Sequence, residues 1–386
     1  MRTVEVAIIG GGIHGVSAGF HLAKQGIQAT LFESGASASG PTGRSSAVCR
    51  AFYTNPFLAA TAREGMEIFR SFREVSGGRA CGFQQTGALF LHGPEDGACV
   101  RDAAAILAAV GTEVKLLDEA ELRRQYPDVD PTGIRVAAWE AGAGYADPVL
   151  TTQGLLERAV EMGLDARLHC PVTELRPRPG SGAVIVDAGG SQTECARLLI
   201  SAGPWTRPLA RQLGADLPLS VERHYVATFG WSQVRPVPFV LVDVPAGYYM
   251  KPDGAELFLA GPLTPEGTAD PDHFSASITR DETARMASGV ATRLPRLSAA
   301  DSRGGWASLY DVSPDWQPVI GEVAEGVFVD AGTSGHGFKL APALGRHVAA
   351  LVSGASVDAG LAQFHPHRFE SHAELSAGFG AARIIG

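Results

Sequence analysis

The chain has 386 residues, 45% of them hydrophobic, with 41 acidic against 32 basic side chains and a net charge of −9. That composition is globular and long enough for two joined domains, and its acidic balance argues against a nucleic-acid partner or an anionic membrane face. No run approaches the roughly 18 apolar residues of a membrane-spanning helix, and five cysteines without C-x-x-C spacing read as reduced thiols in a cytoplasm.

In chain order, Val4 to Ile9 is a short apolar run and predicts a buried parallel strand. It starts too near residue 1 to leave room for a signal peptide. Gly10, Gly11, Gly12, Ile13, His14 and Gly15 follow and satisfy G-x-G-x-x-G. An amphipathic helix, Val16 to Gln25, is stopped by Gly26. A second strand, Gln28 to Phe32, ends on Glu33, 23 positions after Gly10. Gly10 makes the tight turn, Gly12 lets a pyrophosphate approach the backbone, and Gly15 lets helix pack on strand. The helix N-terminus faces the phosphates, and Glu33 takes the ribose hydroxyls. The whole unit predicts dinucleotide binding.

Ser34 to Ser46 is a loop of small and polar residues. Arg50, close behind it, projects into the expected cleft, where a guanidinium suits bidentate capture of a carboxylate, with a surface salt bridge as the alternative. A long helix is predicted from Pro56 to Val75, a strand from Phe83 to His92, and helices over Arg101–Val110 and Asp118–Tyr126, the last with capping-box spacing between Asp118 and Glu121. Gly144 to Pro148 is a turn and Val149 to Met162 a helix. Asp165–His169, Val172–Arg176 and Gly182–Asp187 are strand-like pieces at hairpin spacing. The strand Arg197–Ser201 ends in Ala202-Gly203-Pro204-Trp205, a second close backbone approach to the same nucleotide.

Leu219 to Gly261 is β-rich and studded with aromatics, among them Tyr225, Trp231, Tyr249 and Phe258. It predicts an antiparallel sheet with one face walling a pocket. A helix covers Thr279–Leu294, and a last strand, Val327–Asp330, leads into Gly332-Thr333-Ser334-Gly335-His336-Gly337-Phe338-Lys339 and a closing helix to Ser353. The helix start at Gly335 to Lys339 turns N–H groups toward the cleft. There Lys339 is either a site cation or a solvated lysine, and His336 either a structural hydrogen bonder or a cofactor contact. His365 and His367 have no third ligand nearby and read as tail rather than metal site. The fold class is α/β plus antiparallel β. Residues 1–80, 145–215 and 305–386 form a discontinuous nucleotide-binding domain, and residues 81–144 and 216–304 an inserted substrate-binding domain.

The N-terminal glycine motif with Glu33, Thr42-Gly43-Arg44-Ser45-Ser46-Ala47-Val48-Cys49-Arg50, Leu199 to Trp205, Ser313-Pro314-Asp315 with Pro318-Val319-Ile320-Gly321, and Ser334 to Lys339 together are similar to the D-amino-acid-oxidase-like family of FAD-dependent oxidoreductases. The resemblance is to its sarcosine oxidase and dehydrogenase branch, heteromeric β subunits included, and runs from Val4 to about Ser353. It implies a glutathione-reductase-type, Rossmann-like FAD-binding domain with an inserted mixed or antiparallel sheet. It implies that Arg50 and Lys339 grip a substrate carboxylate, that Tyr249 lines the same pocket, that Arg44, Ser45 and Ser46 pass beside the flavin, and that Val172 meets the adenine. The implied reaction is hydride transfer from an amine or amino acid to flavin, giving an imine that water hydrolyses, with oxygen or another electron acceptor. A 2-hydroxy-acid dehydrogenase, or a partner-dependent flavin subunit, is the alternative; homo- or hetero-oligomer stays open.

Two departures follow from the same comparison. The segment that carries a flavin-linking cysteine in monomeric sarcosine oxidases has Ser308 here, and no histidine lies between His21 and His92, so FAD is expected to be non-covalent. The segment that carries an oxygen-promoting lysine reads Leu257-Phe258-Leu259, and Leu263 stands at the pocket histidine. Fast reaction with oxygen, and sarcosine itself as substrate, are therefore not expected.

Overall fold

A computed structural model describes residues 2–178, 182–230, 237–265, 267–376, 378–379 and 382–385; Trp231 lies outside the described residues. The first strand, Arg2–Ile9, pairs in parallel with Ala29–Phe32 on one side and Ser191–Ile200 on the other. Between the first two strands, the helix Ile13–Lys24 begins three residues before the apolar periodicity does. The end of the glycine motif is its first turn. Gly26, in the left-handed region at φ +76, stops it as expected.

The first sheet runs, in spatial order, Val172–Pro177, Val184–Ala188, Ser191–Ile200, Arg2–Ile9, Ala29–Phe32 and Asp165–Arg167. The long strand Ser191–Ile200 is shared: its first half joins the antiparallel hairpin, and Leu198 to Ile200 pair in parallel with Val327–Ala331. This corrects the expectation of three consecutive hairpin strands. Asp165–Arg167 pairs in parallel with Ala29–Phe32 at the opposite edge from Val172–Pro177.

The second sheet has the order Asp301–Val312, Ser220–Gly230, Leu257–Pro262, Tyr248–Asp253, Val240–Asp243, Ala88–His92, Val136–Glu140 and Lys115–Leu117. It is antiparallel except where Val240–Asp243 runs parallel to Ala88–His92. Asp301–Val312 was not recognisable in the sequence, because its first half, Asp-Ser-Arg-Gly-Gly, is polar, glycine-rich and largely exposed. The expected domain limit at residues 304/305 falls inside this strand. Other elements are shorter than their patterns. The helix from Pro56 breaks after Arg70, and the strand from Phe83 breaks at Gly87, where a Cβ would lie 2.1 Å from the Trp139 ring. Gly144–Tyr145, expected as a turn, is a short strand between Val48–Cys49 and Gln84–Gln85. The Asp118–Glu121 capping box is present.

The closing helix, Gly337–Ser353, lies against Ile13–Lys24. At their closest approach a Cβ on Gly345 would sit 2.7 Å from Ser17. The first turns of both helices line one cavity. No helix among the described residues is long and apolar enough to cross a membrane.

A buried ion pair fixes the chain beyond this helix. Arg368 donates to both oxygens of Asp315 (2.7 and 3.0 Å) and to the Phe364 and Gln317 carbonyls, and the Leu375 N–H also reaches Asp315. Arg368→Met strands a buried carboxylate and is expected to cost about 3–5 kcal/mol, measured by denaturant unfolding of the full chain. A loss under about 1 kcal/mol would show that water reaches Asp315.

Candidate active site

The cavity opens where two parallel strands end. Gly10 sits at φ +114, and a Cβ there would meet the Ser201 carbonyl oxygen at 2.3 Å. A Cβ on Gly15 would lie 2.1 Å from the Gly10 oxygen. Both positions require glycine, and the turn they allow leaves the helix start open to the cavity. Glu33 accepts from the Gly11 and Gly35 N–H groups at 2.7 and 2.8 Å. The Ile13 N–H at the helix start donates to Thr42 Oγ1 at 3.2 Å, a contact the sequence did not reveal.

The cavity measures about 760 Å³. Of the predicted residues, Gly10, Gly12, Ile13, His14, Glu33, Arg44, Ser45, Ser46, Val172, Ala202, Gly203, Trp205, Tyr249, Gly335, Gly337 and Phe338 line it. Gly15, Arg50, His336 and Lys339 are not on its wall. The second sheet closes over it through side chains that sequence reading missed: Trp306 donates to the Arg44 carbonyl (2.8 Å), and Asp272 accepts from Trp205 (2.8 Å). The His224 ring stacks on Tyr310 at 3.9 Å, and burial drives its pKa down to about 3, so the imidazole is neutral. His14 Nδ1 lies 3.0 Å from both oxygens of Asp330; burial opposes its charge, but that carboxylate outweighs burial and its pKa rises. Four buried polar atoms of the lining residues, His14 Nε2, Ser201 Oγ, His224 Nε2 and Ser308 Oγ, have no hydrogen-bond partner. Such atoms call for a polar ligand.

Off the cavity wall, but next in sequence to its lining residue Phe338 in the case of Lys339, are two buried cations that act on each other. Arg50 is 4% exposed, which removes the surface salt bridge as an alternative. It donates to three carbonyl oxygens: Phe52, Ile384 (3.2 Å) and Ile385 (2.5 Å). Its guanidinium lies 4.5 Å from the Tyr53 ring centre. Lys339, also buried rather than solvated, donates to the His336 carbonyl at 3.2 Å. Burial first, and the Arg50 charge second, push its pKa well down. His336 is fully buried between the Trp316 carbonyl (2.9 Å) and the Tyr53 hydroxyl (3.3 Å), and is structural in these contacts. Cys49, beside the cations, is buried and its thiol is pushed up by burial.

The carboxylate acting on Arg50 is Glu140, on which the sequence offered no reading. Its two oxygens accept from the Ala51 and Phe52 N–H groups at 2.8 and 3.1 Å, which orients the segment that carries Arg50. Burial raises its pKa to about 7, against these hydrogen bonds and Arg50. Lys251 faces Leu259 across neighbouring strands, but donates to Asp253 (2.9 Å) over the Tyr145 ring.

A family model described as FAD dependent oxidoreductase (DAO) matches residues 5–351. Mitochondrial dimethylglycine dehydrogenase of Rattus norvegicus is 25% identical over 387 residues, covering 95% of this chain and 45% of that protein. The chain thus spans less than half the length of that relative. Human peroxisomal sarcosine oxidase is 26% identical, with 95% of this chain and 96% of the relative covered. Sarcosine oxidase subunit beta of Rhizobium meliloti (strain 1021) is 26% identical, with 95% and 88% covered. Among solved structures, L-proline dehydrogenase from P. horikoshii superposes with a TM-score of 0.86 at 23% identity, covering 96% of this chain and 99% of that one.

Because the folded-state pKa of Glu140 is raised, its neutral form favours the fold and its ionised form opposes it. Stability from this group is present below the unfolded value of about 4.5 and is lost as pH rises to about 7. The difference in unfolding free energy between the parent chain and Glu140→Gln, which cannot ionise, is expected to shift in favour of the variant across that window. A difference independent of pH would mean that Glu140 titrates in the fold as it does in the unfolded chain.

Proposed function

The chain belongs to the family of FAD dependent oxidoreductases, and on that premise we propose that it oxidises the C–N bond of an amino acid or an N-substituted glycine to an imine, which water hydrolyses. The observation that carries this reading is the buried Arg50–Lys339 pair beside a cavity of cofactor size. Two buried cations whose direct partners are carbonyls form a site that gains from a carboxylate. The names of the relatives, dimethylglycine dehydrogenase and sarcosine oxidase, support an amine donor.

The lining fits FAD. Glu33 would hold ribose hydroxyls with its remaining acceptor capacity, the backbone at Gly10 to His14 with its helix start would hold the pyrophosphate, and the second helix start at Gly335 to Phe338 would face anionic charge. Ala202, Gly203, Trp205 and Val172 flank the nucleotide end, and Arg44 to Ser46 with Tyr249 the other. The bound cofactor supplies a two-electron acceptor for the substrate's hydride. Arg50 and Lys339 hold the carboxylate and so fix the neighbouring C–H. Each carboxylate on the cavity wall is already engaged: Glu33 with backbone, Asp272 with Trp205, Asp311 with the Gly332 N–H, Asp330 with His14. None is placed as a general base, so the amine reacts in its neutral form, which the two cations favour by lowering its pKa.

Further parts of the reading rest on single observations. No cysteine of the described residues lines the cavity, which supports non-covalent FAD. Leu259 is buried and apolar while Lys251 is held by Asp253, which supports an electron acceptor other than oxygen. The likeness to a β subunit supports a heteromeric assembly. The segments of the first sheet would form the FAD-binding domain and those of the second the substrate-binding domain, in a cytoplasmic protein whose five cysteines stay unpaired.

Anaerobic titration with amino acids, N-methyl amino acids and 2-hydroxy acids tests the reaction through bleaching of the flavin's visible band. An amine is expected to bleach it, and bleaching by hydroxy acids alone sinks the C–N reading. Arg50→Gln and Lys339→Met are each expected to weaken that substrate's apparent affinity roughly 10- to 100-fold while flavin content is kept. In Glu33→Gln the reverse is expected: FAD released on dilution by a similar factor, with the substrate dependence of the loaded enzyme unchanged.

A further inference from the structure

The C-terminal segment runs from the Asp315 anchor to the carboxylate grip. After Arg368 and Leu375, both held on Asp315, Phe379 is buried with its ring 5.7 Å from Phe52 and 5.0 Å from His92. Ala382, Ile384 and Ile385 are buried in the same apolar cluster as Tyr249, Leu263 and Phe338. The Ile384 and Ile385 carbonyls then take Arg50 Nη2 at 3.2 and 2.5 Å. The chain's own backbone therefore occupies donors that a substrate carboxylate needs.

These carbonyls satisfy the geometry of the guanidinium but not its charge. Around Arg50 and Lys339 the charged partner is Glu140, whose oxygens are spent on Ala51 and Phe52 and which is readily protonated near neutrality. A hydrogen bond to an anion is about twice as strong as one to a neutral carbonyl. A carboxylate thus gains at Arg50 what Ile384 and Ile385 do not supply. A neutral amide would exchange one carbonyl for another and gain nothing. The segment is held by apolar burial rather than by a sheet: between Leu375 and Ile385 the described residues form no ladder, only turns and the short 3₁₀ helix Arg383–Ile385, so its displacement has Phe379, Ile384 and Ile385 to unseat. Its further anchor is the Gly378 carbonyl, which accepts from Cys99 Sγ at 2.8 Å.

We propose that Phe379 and residues 382–385 are an exchangeable internal ligand of the Arg50 site: their carbonyls hold the guanidinium in the absence of a carboxylate, and a carboxylate-bearing substrate displaces them. The proposal rests on the reading of Arg50 as the carboxylate grip. Every ligand of the site then binds against the segment's own occupancy, which lowers apparent affinity by the fraction of molecules in which the segment is seated. Anions overcome that threshold and their neutral amides do not. The substrates selected are free acids.

The test uses the full FAD-loaded chain with propionate and propionamide as probes. Binding is measured by calorimetry, and backbone hydrogen exchange of the C-terminal peptide that starts at Leu375 is followed by mass spectrometry. Propionate is expected to bind and to raise exchange in that peptide; propionamide is expected to do neither. Phe379→Ala/Ile384→Ala, which loosens the segment without touching Arg50, is expected to bind propionate about tenfold more tightly. Arg50→Gln is expected to abolish propionate binding and to raise exchange without any ligand. If propionate binds in an Arg50-dependent way but exchange stays unchanged, the segment is a fixed wall: this proposal falls and the carboxylate reading stands. If propionate fails to bind, or binds equally well to Arg50→Gln, the grip itself is wrong and both fall. Should the double variant not fold, exchange in the parent chain still decides between these outcomes.

Discussion

The approach of Gly10 to the Ser201 carbonyl, closer than any side chain permits, is the constraint on which the rest of the structure depends. It lets the parallel strands Arg2–Ile9 and Ser191–Ile200 end at one level, with the turn to the first helix folded flat over them. Gly15 then seats that helix on the turn, and the closing helix seats against the first. Two helix starts and two strand ends converge on one cavity as a result. Besides side chains such as His14 and Ser201, they offer backbone N–H groups and the positive ends of helix dipoles, which suit phosphates and electron-rich rings.

Charge in the interior is handled in two ways. Arg368 and Asp315 form a complete pair, with the remaining donors of the arginine on carbonyls, so its desolvation is offset locally. Arg50 and Lys339 are not balanced in this way. Glu140 stands near them but is itself committed to the backbone and only partly ionised near neutral pH. A protein of marginal stability keeps such an imbalance only where something else completes it. In this structure the Ile384 and Ile385 carbonyls supply hydrogen bonds to Arg50 but no opposite charge.

The nucleotide half of the site was legible because its signals are local. The glycine spacing, the acid at Glu33 and the stop at Gly26 lie within one strand–helix–strand unit and need no distant partner to be read. The strand order was less legible. Asp165–Arg167 and Val172–Pro177 are neighbours in sequence but lie at opposite edges of the sheet, and hairpin spacing cannot register a parallel partner 135 residues away. Asp301–Val312 lacked a strand pattern because half of it is exposed and polar. Arg50 and Lys339 were singled out only through family likeness; by residue type alone Arg50 fitted a surface salt bridge equally well and Lys339 fitted a solvated helix start better. Glu140 and Ile384 were missed because each acts through a contact dozens to hundreds of residues away, and a backbone carbonyl carries no sequence signal.

This contrast explains how a chain only 23% identical to L-proline dehydrogenase superposes on it with a TM-score of 0.86. The turn from Gly10 to Gly15 is built from backbone geometry and asks little of the side chains around it. The candidate substrate residues are instead side chains on separate segments, Arg50 after the first loop, Tyr249 in the second sheet and Lys339 at the closing helix. Each can change without disturbing the cleft. A replacement such as Leu259 or Leu263 alters the polarity beside the cavity but leaves the strand pairing of Leu257–Pro262 with Tyr248–Asp253 in place. A common fold is therefore compatible with wide differences among the side chains around the cleft.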